Sequence, residues 1–517
     1  MSKRVSHSEL AQHNKADNAW LVINGDVYDV SRFAMLHPGG ERPIHEYAGK
    51  DATDVFYGLH MHAVLEKFGP RLLVGRLEGA EEKNEENTIP GLDKISKVPY
   101  GEPMAFQGFE SPYYKESHHR MRKAVREFIH EHIRPEAEDG EMSNEPPSKE
   151  LFKKMGEFGL LAARIGPGDA LNYVKQLPGG VSKEEFDYFH EGIVHEEMGR
   201  IGCPGFTDGL GSGMVIGLPP VVNFGSDWMK EKVCTEVLSG EKRIALAITE
   251  PYAGSDVANI TTTATKMPDG SYVVNGEKKW ITGGNEADYF TTAVRTGGEG
   301  MGGISLLLIE RSEGVTTKRI KTSYSTAAGT AYITFENVKV PAKNLIGFEN
   351  GGFFLIMANF NHERWMICAY LMSSIRAAVE QTMLWCNQRK AFGKNLLQQP
   401  AVRQKLANMI AQVEAVQHWY EAITHQMCTM PYEDQTQKLS SPTSLLKYQV
   451  TRAAHDICDD AVQLFGGRSI TQTGMGKYIE RFQKTYKFGA ILGGSEEIMA
   501  DLGVRLALKD MPKNARL

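Results

Sequence analysis

The segment "ALAITEPYAGSD" (residues 245–256) decides how the larger part of the chain is organised. Its first residues are small and apolar, as in a strand, and Thr-Glu-Pro and Gly-Ser-Asp then predict two successive turns. Short β-rich runs separated by turns continue from here to residue 347. We therefore expect a β-domain that begins at this segment.

Two dipeptides and one glycine-rich stretch bear on the connections of this β-domain. Asp269-Gly270 and Asn275-Gly276 are predicted to be hairpin-type turns. The stretch "GEGMGG" (298–303) fits a phosphate-binding G-x-G-x-x-G pattern, but it lies between two strand-like runs and opens no helix. We interpret it as a flexible hairpin loop.

Helical patterns flank the β-domain on both sides. Residues 112–245 contain amphipathic runs such as "YYKESHHRMRKAVREFIHEHI", and long helical patterns resume at residue 350. The predicted fold is multidomain. Its predicted parts are a small α+β domain (1–79), a polar and acidic linker (80–103), an N-terminal α-helical domain (104–245), a central β-domain (246–349), a C-terminal helical bundle (350–510) and a tail (511–517).

Composition and charge indicate which partners and which cellular location to expect. The chain has 517 residues and a net charge of −6, which argues against a general nucleic-acid surface. The six cysteines form no C-x-x-C pair, and we expect reduced thiols, no membrane span and no signal peptide. The ending Ala515-Arg516-Leu517 resembles a peroxisomal address, so a peroxisomal location is expected, and otherwise a cytoplasmic one.

The first block carries three ordered elements: "AWLVINGDVYDVSRF", "HPGG" (37–40) and "AGKDATDVFYGLH", which ends at His60. Together they resemble the cytochrome b5 family. The resemblance implies haem b with His37 and His60 as axial ligands, and His62 is the rival for the second position. An iron ligated on both sides has no open position, so the haem is expected to transfer single electrons.

Residues 104–510 resemble the acyl-CoA dehydrogenase family. Besides the opening segment, the matching motifs are "KKWIT" (278–282), "FENVKVP" (335–341), "QRKAFGK" (388–394), "VQLFGG" (462–467) and "GGSEEI" (493–498). The resemblance implies an FAD-dependent oxidoreductase that acts on an acyl-CoA and forms a homo-oligomer, a dimer or a tetramer.

The resemblance also implies which residues contact FAD. Thr249 and Ser255 offer donors to a ring that becomes negative on reduction, while Trp280 lies against the ring and Thr282 bonds near its reactive nitrogen. The flavin set is completed by Ile281, Gly494 and Ser495, and by Arg389, Phe392, Gln463, Gly466 and Gly467, which reach the diphosphate and adenine half from a neighbouring subunit. Two departures are visible, because "GGRS" replaces the usual "GGxG" and Pro400 replaces a frequent glutamine.

Members of this family supply the catalytic base from different positions in the sequence. Many relatives place the glutamate where this chain has Gly493, whereas the long-chain and isovaleryl-specific branches supply it from an earlier helix, next to an arginine. "NFNHERWMIC" (359–368) has Glu363-Arg364 at that place, within an apolar helical run. We therefore predict that Glu363 is the base and that Arg364, Asn361 and Ser255 contact the substrate. The competing interpretations are a structural ion pair for Glu363-Arg364, and Glu496 or Glu497 as the base.

The combined hypothesis is α,β-desaturation of a fatty acyl-CoA, as in β-oxidation, with electrons passing from FAD to the tethered haem and then to a possible redox partner. One alternative is an oxidase-like flavoenzyme that uses dioxygen. The other is a non-catalytic flavoprotein that binds nucleic acid or a protein partner.

Overall fold

The computed structural model describes residues 3–80 and 94–515. Residues 81–93 of the predicted linker (80–103) lie outside the described residues. Arg516 and Leu517 of the predicted peroxisomal address do so as well. The chain divides into two compact units. The first consists of Met1–Ile89, Gln381–Ala407 and Ala461–Glu480, and the second of Pro90–Glu380, Asn408–Asp460 and Arg481–Leu517.

The N-terminal part of the first unit is an α+β domain, which confirms the predicted class. Its strands are β1 (Arg4–Val5), β2 (Asn14–Lys15), β3 (Asn18–Ile23), β4 (Asp26–Asp29) and β5 (Leu73–Leu77), and its helices are α1 (His7–Gln12), α2 (Arg42–Tyr47), α3 (Thr53–Leu59) and α4 (His62–Leu72). The sheet has the order β1-β5-β4-β3-β2, and only β1 and β5 pair in parallel. Leu21, Ile23 and Tyr28 of the sheet pack with Ile44 and Ala48 in one apolar cluster.

The second unit begins with the predicted N-terminal helices. They are α5 (Glu116–Phe128), α6 (Arg134–Ser143), α7 (Lys149–Glu157), α8 (Leu160–Ala163), α9 (Tyr188–Gly199), α10 (Pro204–Gly209), α11 (Ser212–Gly217), α12 (Pro219–Phe224), α13 (Asp227–Met229) and α14 (Thr235–Leu238). Polar side chains cap the beginnings of two of these helices, Ser148 at α7 and Asp187 at α9. Helix α9 is almost wholly buried, and Arg126 of α5 pairs with its Glu197 at 2.7 Å.

The β-domain follows in the second unit. Its strands are β6 (Ile244–Ala247), β7 (Thr263–Lys266), β8 (Tyr272–Ile281), β9 (Tyr289–Arg295), β10 (Ile304–Glu310), β11 (Val315–Arg319), β12 (Ala331–Val340) and β13 (Leu345–Ile346). The sheet order is β11-β12-β8-β7-β9-β10-β13, with β6 parallel to β9. The first residues of "ALAITEPYAGSD" (245–256) therefore lie in the buried strand β6, as predicted.

Two of the three predicted connections join antiparallel neighbouring strands, as predicted. Asp269-Gly270 turns between β7 and β8, and "GEGMGG" lies in the connection between the antiparallel strands β9 and β10. The predicted turn at Asn275-Gly276 is wrong, because both residues lie inside β8. Asn275 pairs with Thr263 on one side, and Gly276 pairs with Phe335 of β12 on the other, so ladder hydrogen bonds outweigh the local turn preference.

Long helices return at residue 352, which confirms the predicted C-terminal helical class. They are α15 (Gly352–Gln388), α16 (Pro400–Thr429), α17 (Tyr432–Lys438), α18 (Ser440–Phe465), α19 (Lys477–Gly489) and α20 (Glu496–Lys509), with a small hairpin of β14 (Lys390–Ala391) and β15 (Lys394–Asn395) between α15 and α16. Within the described ranges, no helix combines the length and the apolar character needed to cross a membrane.

Candidate active site

Two histidines face each other across a crevice of the α+β domain. His37 follows a single 3₁₀ turn (Ala34–Leu36), and His60 directly follows α3. The centroids of the two imidazole rings are 5.8 Å apart. This spacing suits two imidazoles that bind one metal ion from opposite sides, with metal–nitrogen bonds of about 2 Å.

The hydrogen bonds of both rings fix which nitrogen is available. His37 Nδ1 lies 2.8 Å from the carbonyl oxygen of Gly40, and His60 Nδ1 lies 3.2 Å from that of Phe56. A carbonyl oxygen only accepts, so each Nδ1 carries the proton and each Nε2 keeps a lone pair for a metal. Burial also lowers the pKa of His60, which favours the neutral form that can ligate.

The glycines of "HPGG" are required by the position of His37. A Cβ on Gly39 would lie 3.0 Å from His37 Cε1, and Gly40 has a φ of +80°. His62 is turned away from this pair, because its Nδ1 is 2.8 Å from the hydroxyl of Tyr57 and its ring stacks on Tyr57. The structure thus brings His60, and not His62, opposite His37.

The walls of the crevice are apolar. Phe33 lies 6.0 Å from the ring of His37, and Phe56 stacks on His60 at 4.8 Å. Met35 and Leu36, next to His37, are 73% and 76% exposed. A flat apolar macrocycle between the imidazoles would cover such side chains, so the residues fit haem.

In the second unit, the ends of β6 and β8 carry the predicted flavin wall. Trp280 has a φ of +65°, an uncommon conformation for a bulky residue, and its side chain is 53% exposed. The amide of Lys279 donates to the carbonyl oxygen of Thr249 at 2.8 Å, which joins the two segments. Ile281 is buried, Thr282 is half-buried and Ser255 is exposed. An aromatic face with nearby hydroxyls fits a planar ring system such as a flavin.

A buried ion pair that the sequence analysis did not single out supports this wall. Lys278 Nζ lies 2.8 Å from Glu250 Oε1 and 2.9 Å from the carbonyl oxygen of Ile248. The amide of Thr262 donates to the same carboxylate at 2.9 Å. Lysine and amides together lower the pKa of Glu250 to about 2, although burial opposes this. The glutamate of "TEP" is therefore a structural anchor beside Thr249.

In the first unit, the hairpin after α15 presents Arg389 and Phe392 to solvent. Phe392 and Gly393 form its turn with φ values of +54° and +74°, and Phe392 is 97% exposed. Gln463, Gly466 and Gly467 are also exposed. An exposed guanidinium and exposed backbone suit the diphosphate and adenine half of FAD.

Glu363 is buried on α15 in the second unit. Its Oε2 has no hydrogen-bond partner among the described residues. Burial raises the pKa of Glu363 to about 7, although Arg364, Lys447 and His362 oppose the rise. A Cβ on Gly493 would lie 3.5 Å from Glu363 Oε1. The carboxylate therefore reaches the space that a side chain at residue 493 would enter, and it titrates where a general base is effective.

Arg364 holds the loop that carries Gly493. Its Nε donates to the carbonyl oxygen of Gly493 at 3.1 Å, and its Nη1 donates to Asn361 Oδ1 at 3.2 Å. Asn361 in turn donates to Ser440 Oγ at 2.7 Å. The two residues predicted to contact substrate thus make contacts that position the loop beside Glu363.

The polar residues near the loop that carries Gly493 differ in their burial and in their partners. Ser495 caps α20, and Glu496 is buried with Lys487 at 3.2 Å, whereas Glu497 is exposed at the start of the helix. Lys447, which the sequence analysis missed, is buried and donates to the carbonyl oxygen of Gly494 at 2.6 Å. Burial lowers the pKa of Lys447 to about 8. The sequence signal that could have indicated Lys447 is its position as the single charged residue of "SLLKYQV".

Three segments of the chain match the domains of one known enzyme family. Residues 115–241, 245–338 and 350–508 match the N-terminal, middle and C-terminal domains of acyl-CoA dehydrogenases. The chain is 40% identical over 425 residues to the acyl-CoA dehydrogenase apdG of Emericella nidulans, covering 81% of this chain and 97% of that protein. The chain belongs to the acyl-CoA dehydrogenase family. Residues 6–78 of this acyl-CoA dehydrogenase match the cytochrome b5-like haem/steroid-binding domain.

A further relative and a solved structure belong to the same family. The mitochondrial long-chain specific acyl-CoA dehydrogenase of Sus scrofa is 31% identical, with 77% of this chain and 88% of that protein covered. The crystal structure of an acyl-CoA dehydrogenase from Geobacillus kaustophilus has a TM-score of 0.68 and 30% identity, and covers 78% of this chain and all of that one. The protein is thus an oxidoreductase acting on CH–CH bonds, from a family that binds FAD, with a haem-binding domain.

Removing the buried lysine of this acyl-CoA dehydrogenase tests the support of the flavin wall. Lys278→Met is expected to lower the free energy of unfolding by about 3 kcal/mol, because the Glu250 charge is left buried without its cation. Urea unfolding measures the loss, with the exposed Lys318→Met as control. The double variant Glu250→Gln/Lys278→Met should recover part of it. An unchanged unfolding midpoint in Lys278→Met contradicts the assignment.

Proposed function

We propose that this enzyme desaturates a fatty acyl-CoA between Cα and Cβ, with Glu363 as the base, and that its haem domain receives the electrons. The observation that carries the proposal is the buried carboxylate of Glu363 beside Gly493, whose Oε2 lacks a hydrogen-bond partner in the part of the chain that the structure describes. When bound, FAD accepts a hydride and haem accepts single electrons.

The residues around Glu363 suit removal of a proton α to a thioester carbonyl. Oε2 is free to accept that proton, and a pKa of about 7 leaves a substantial carboxylate fraction at neutral pH. Arg364 holds the Gly493 carbonyl and so keeps the loop backbone beside the carboxylate. The similarity to a long-chain specific relative supports a fatty acyl chain as the substrate class.

The haem crevice supports the second half of the proposal. His37 and His60 would together hold a haem iron through their Nε2 atoms, which would suit the domain to electron transfer rather than to binding dioxygen. Both domains belong to one chain, which raises the effective concentration of the acceptor. A separate diffusing acceptor is therefore not needed for the first electron transfer.

Anaerobic stopped-flow mixing with saturated acyl-CoAs of different chain length tests this function. We expect bleaching of the flavin band near the start of the reaction, followed by the absorption of reduced haem within one turnover. A flavin that bleaches while the haem stays oxidised would refute the haem as acceptor. Peroxide formed in air at the turnover rate would instead identify an oxidase, and a flavin that no acyl-CoA reduces would identify a non-catalytic flavoprotein.

A further inference from the structure

Within the first unit, the helix that leads to His60 contacts the hairpin that follows α15. Lys390 Nζ of β14 lies 2.6 Å from Asp54 Oδ2, near the start of α3. Both side chains are more than half exposed, so this is a surface ion pair between segments far apart in the sequence. Lys390 directly follows Arg389, a predicted contact of the flavin diphosphate.

A second contact is made near the end of the same helix. Arg468 Nη2 donates to the carbonyl oxygen of Gly58 at 3.3 Å. Its guanidinium lies over the ring of Trp385 at 4.7 Å, which restricts its movement.

The two contacts together orient α3. Asp54 and Gly58 are four residues apart, so they lie one turn apart on the helix, and His60 follows two residues after Gly58. Lys390 and Arg468 therefore form a basic surface that contacts the helix ending at a haem ligand.

We propose that α3 of the haem domain docks on the basic surface of Lys390 and Arg468 in the same chain, and that this docked state is the one that passes electrons to the haem. The proposal rests on the proposed electron transfer and adds where the haem domain is bound when that transfer occurs.

The strength of the contact suits this role. A single exposed ion pair contributes at most about 1 kcal/mol and weakens with salt. The covalent connection between the domains offsets this weakness by raising the effective concentration. The docked state is therefore expected to form and open reversibly and to depend on ionic strength.

A charge swap in the full-length holoenzyme tests the docking. Asp54→Lys and Lys390→Asp are each expected to slow haem reduction about fivefold at low salt, without slowing flavin reduction, and the double variant should recover most of the loss. Asp17→Lys, an exposed site in the turn between β2 and β3, makes the same charge change away from the contact and should have no effect. Single variants that reduce haem at the wild-type rate at low salt would overturn the proposal.

A second measurement does not depend on electron transfer. A water-soluble carbodiimide joins a carboxylate to a neighbouring lysine amine, and peptide mass spectrometry should find a link between Asp54 and Lys390 that Asp54→Asn abolishes. If this link forms while the wild-type haem is never reduced, docking stands and the proposed acceptor is wrong. If the link is absent in the wild type, the docking is wrong, whatever the haem does.

Discussion

Glu363→Gln is expected to slow the reduction of the flavin by a saturated acyl-CoA by roughly 10² to 10⁴-fold. Glutamine keeps the size and polarity of the side chain but cannot accept the α-proton. The buried setting makes the loss hard to compensate, because Oε2 of Glu363 has no other partner among the described residues. Single-turnover mixing with saturating substrate under anaerobic conditions measures this step directly.

The pH dependence provides an independent signature of the same residue. Burial raises the pKa of Glu363 to about 7, so the reactive carboxylate forms as the pH rises through that value. The wild-type rate of flavin reduction should therefore increase from pH 6 to pH 8, and this limb should vanish in Glu363→Gln. Glu497→Gln, at the exposed start of α20, should keep both the rate and the limb. Wild-type rates in Glu363→Gln would refute the assignment.

The sequence predicted the features that depend on short segments. "HPGG" contains both the ligand and the glycines that its ring and turn require, so His37 could be found locally. The catalytic base could be predicted only by combining two observations. These are an acidic residue in an apolar helix and the absence of a glutamate at Gly493. The structure brings these two positions to within van der Waals distance, although they are distant in the sequence.

The remaining features depend on pairing between distant segments. Asn275-Gly276 has a strong turn preference, but strands on both sides recruit it into β8, and sequence preference does not register that competition. Lys278 and Lys447 look like ordinary lysines in the sequence. Each is buried against carbonyl oxygens supplied by another part of the fold, Ile248 for Lys278 and Gly494 for Lys447, and only tertiary structure reveals those partners.

His37→Ala and His60→Ala are each expected to weaken haem binding by more than about 100-fold, since even the loss of an outer partner of a metal ligand costs about 10 to 100-fold. Both imidazoles present Nε2 into the crevice because Nδ1 donates to a carbonyl oxygen. Removing either ring leaves one axial position without a protein ligand. Haem content per chain and the absorption spectrum of the purified variants measure the effect.

His62→Ala is the matched control, because it removes a neighbouring imidazole that bonds to Tyr57 and not to the crevice. It should retain haem and the spectrum of a haem iron with two imidazole ligands. Should His62→Ala lose haem while His60→Ala keeps it, the second ligand is His62, and α3 must end in a different conformation. Loss in both would mean that the Tyr57–His62 contact is needed to hold His60, since Tyr57 lies within the helix that positions it.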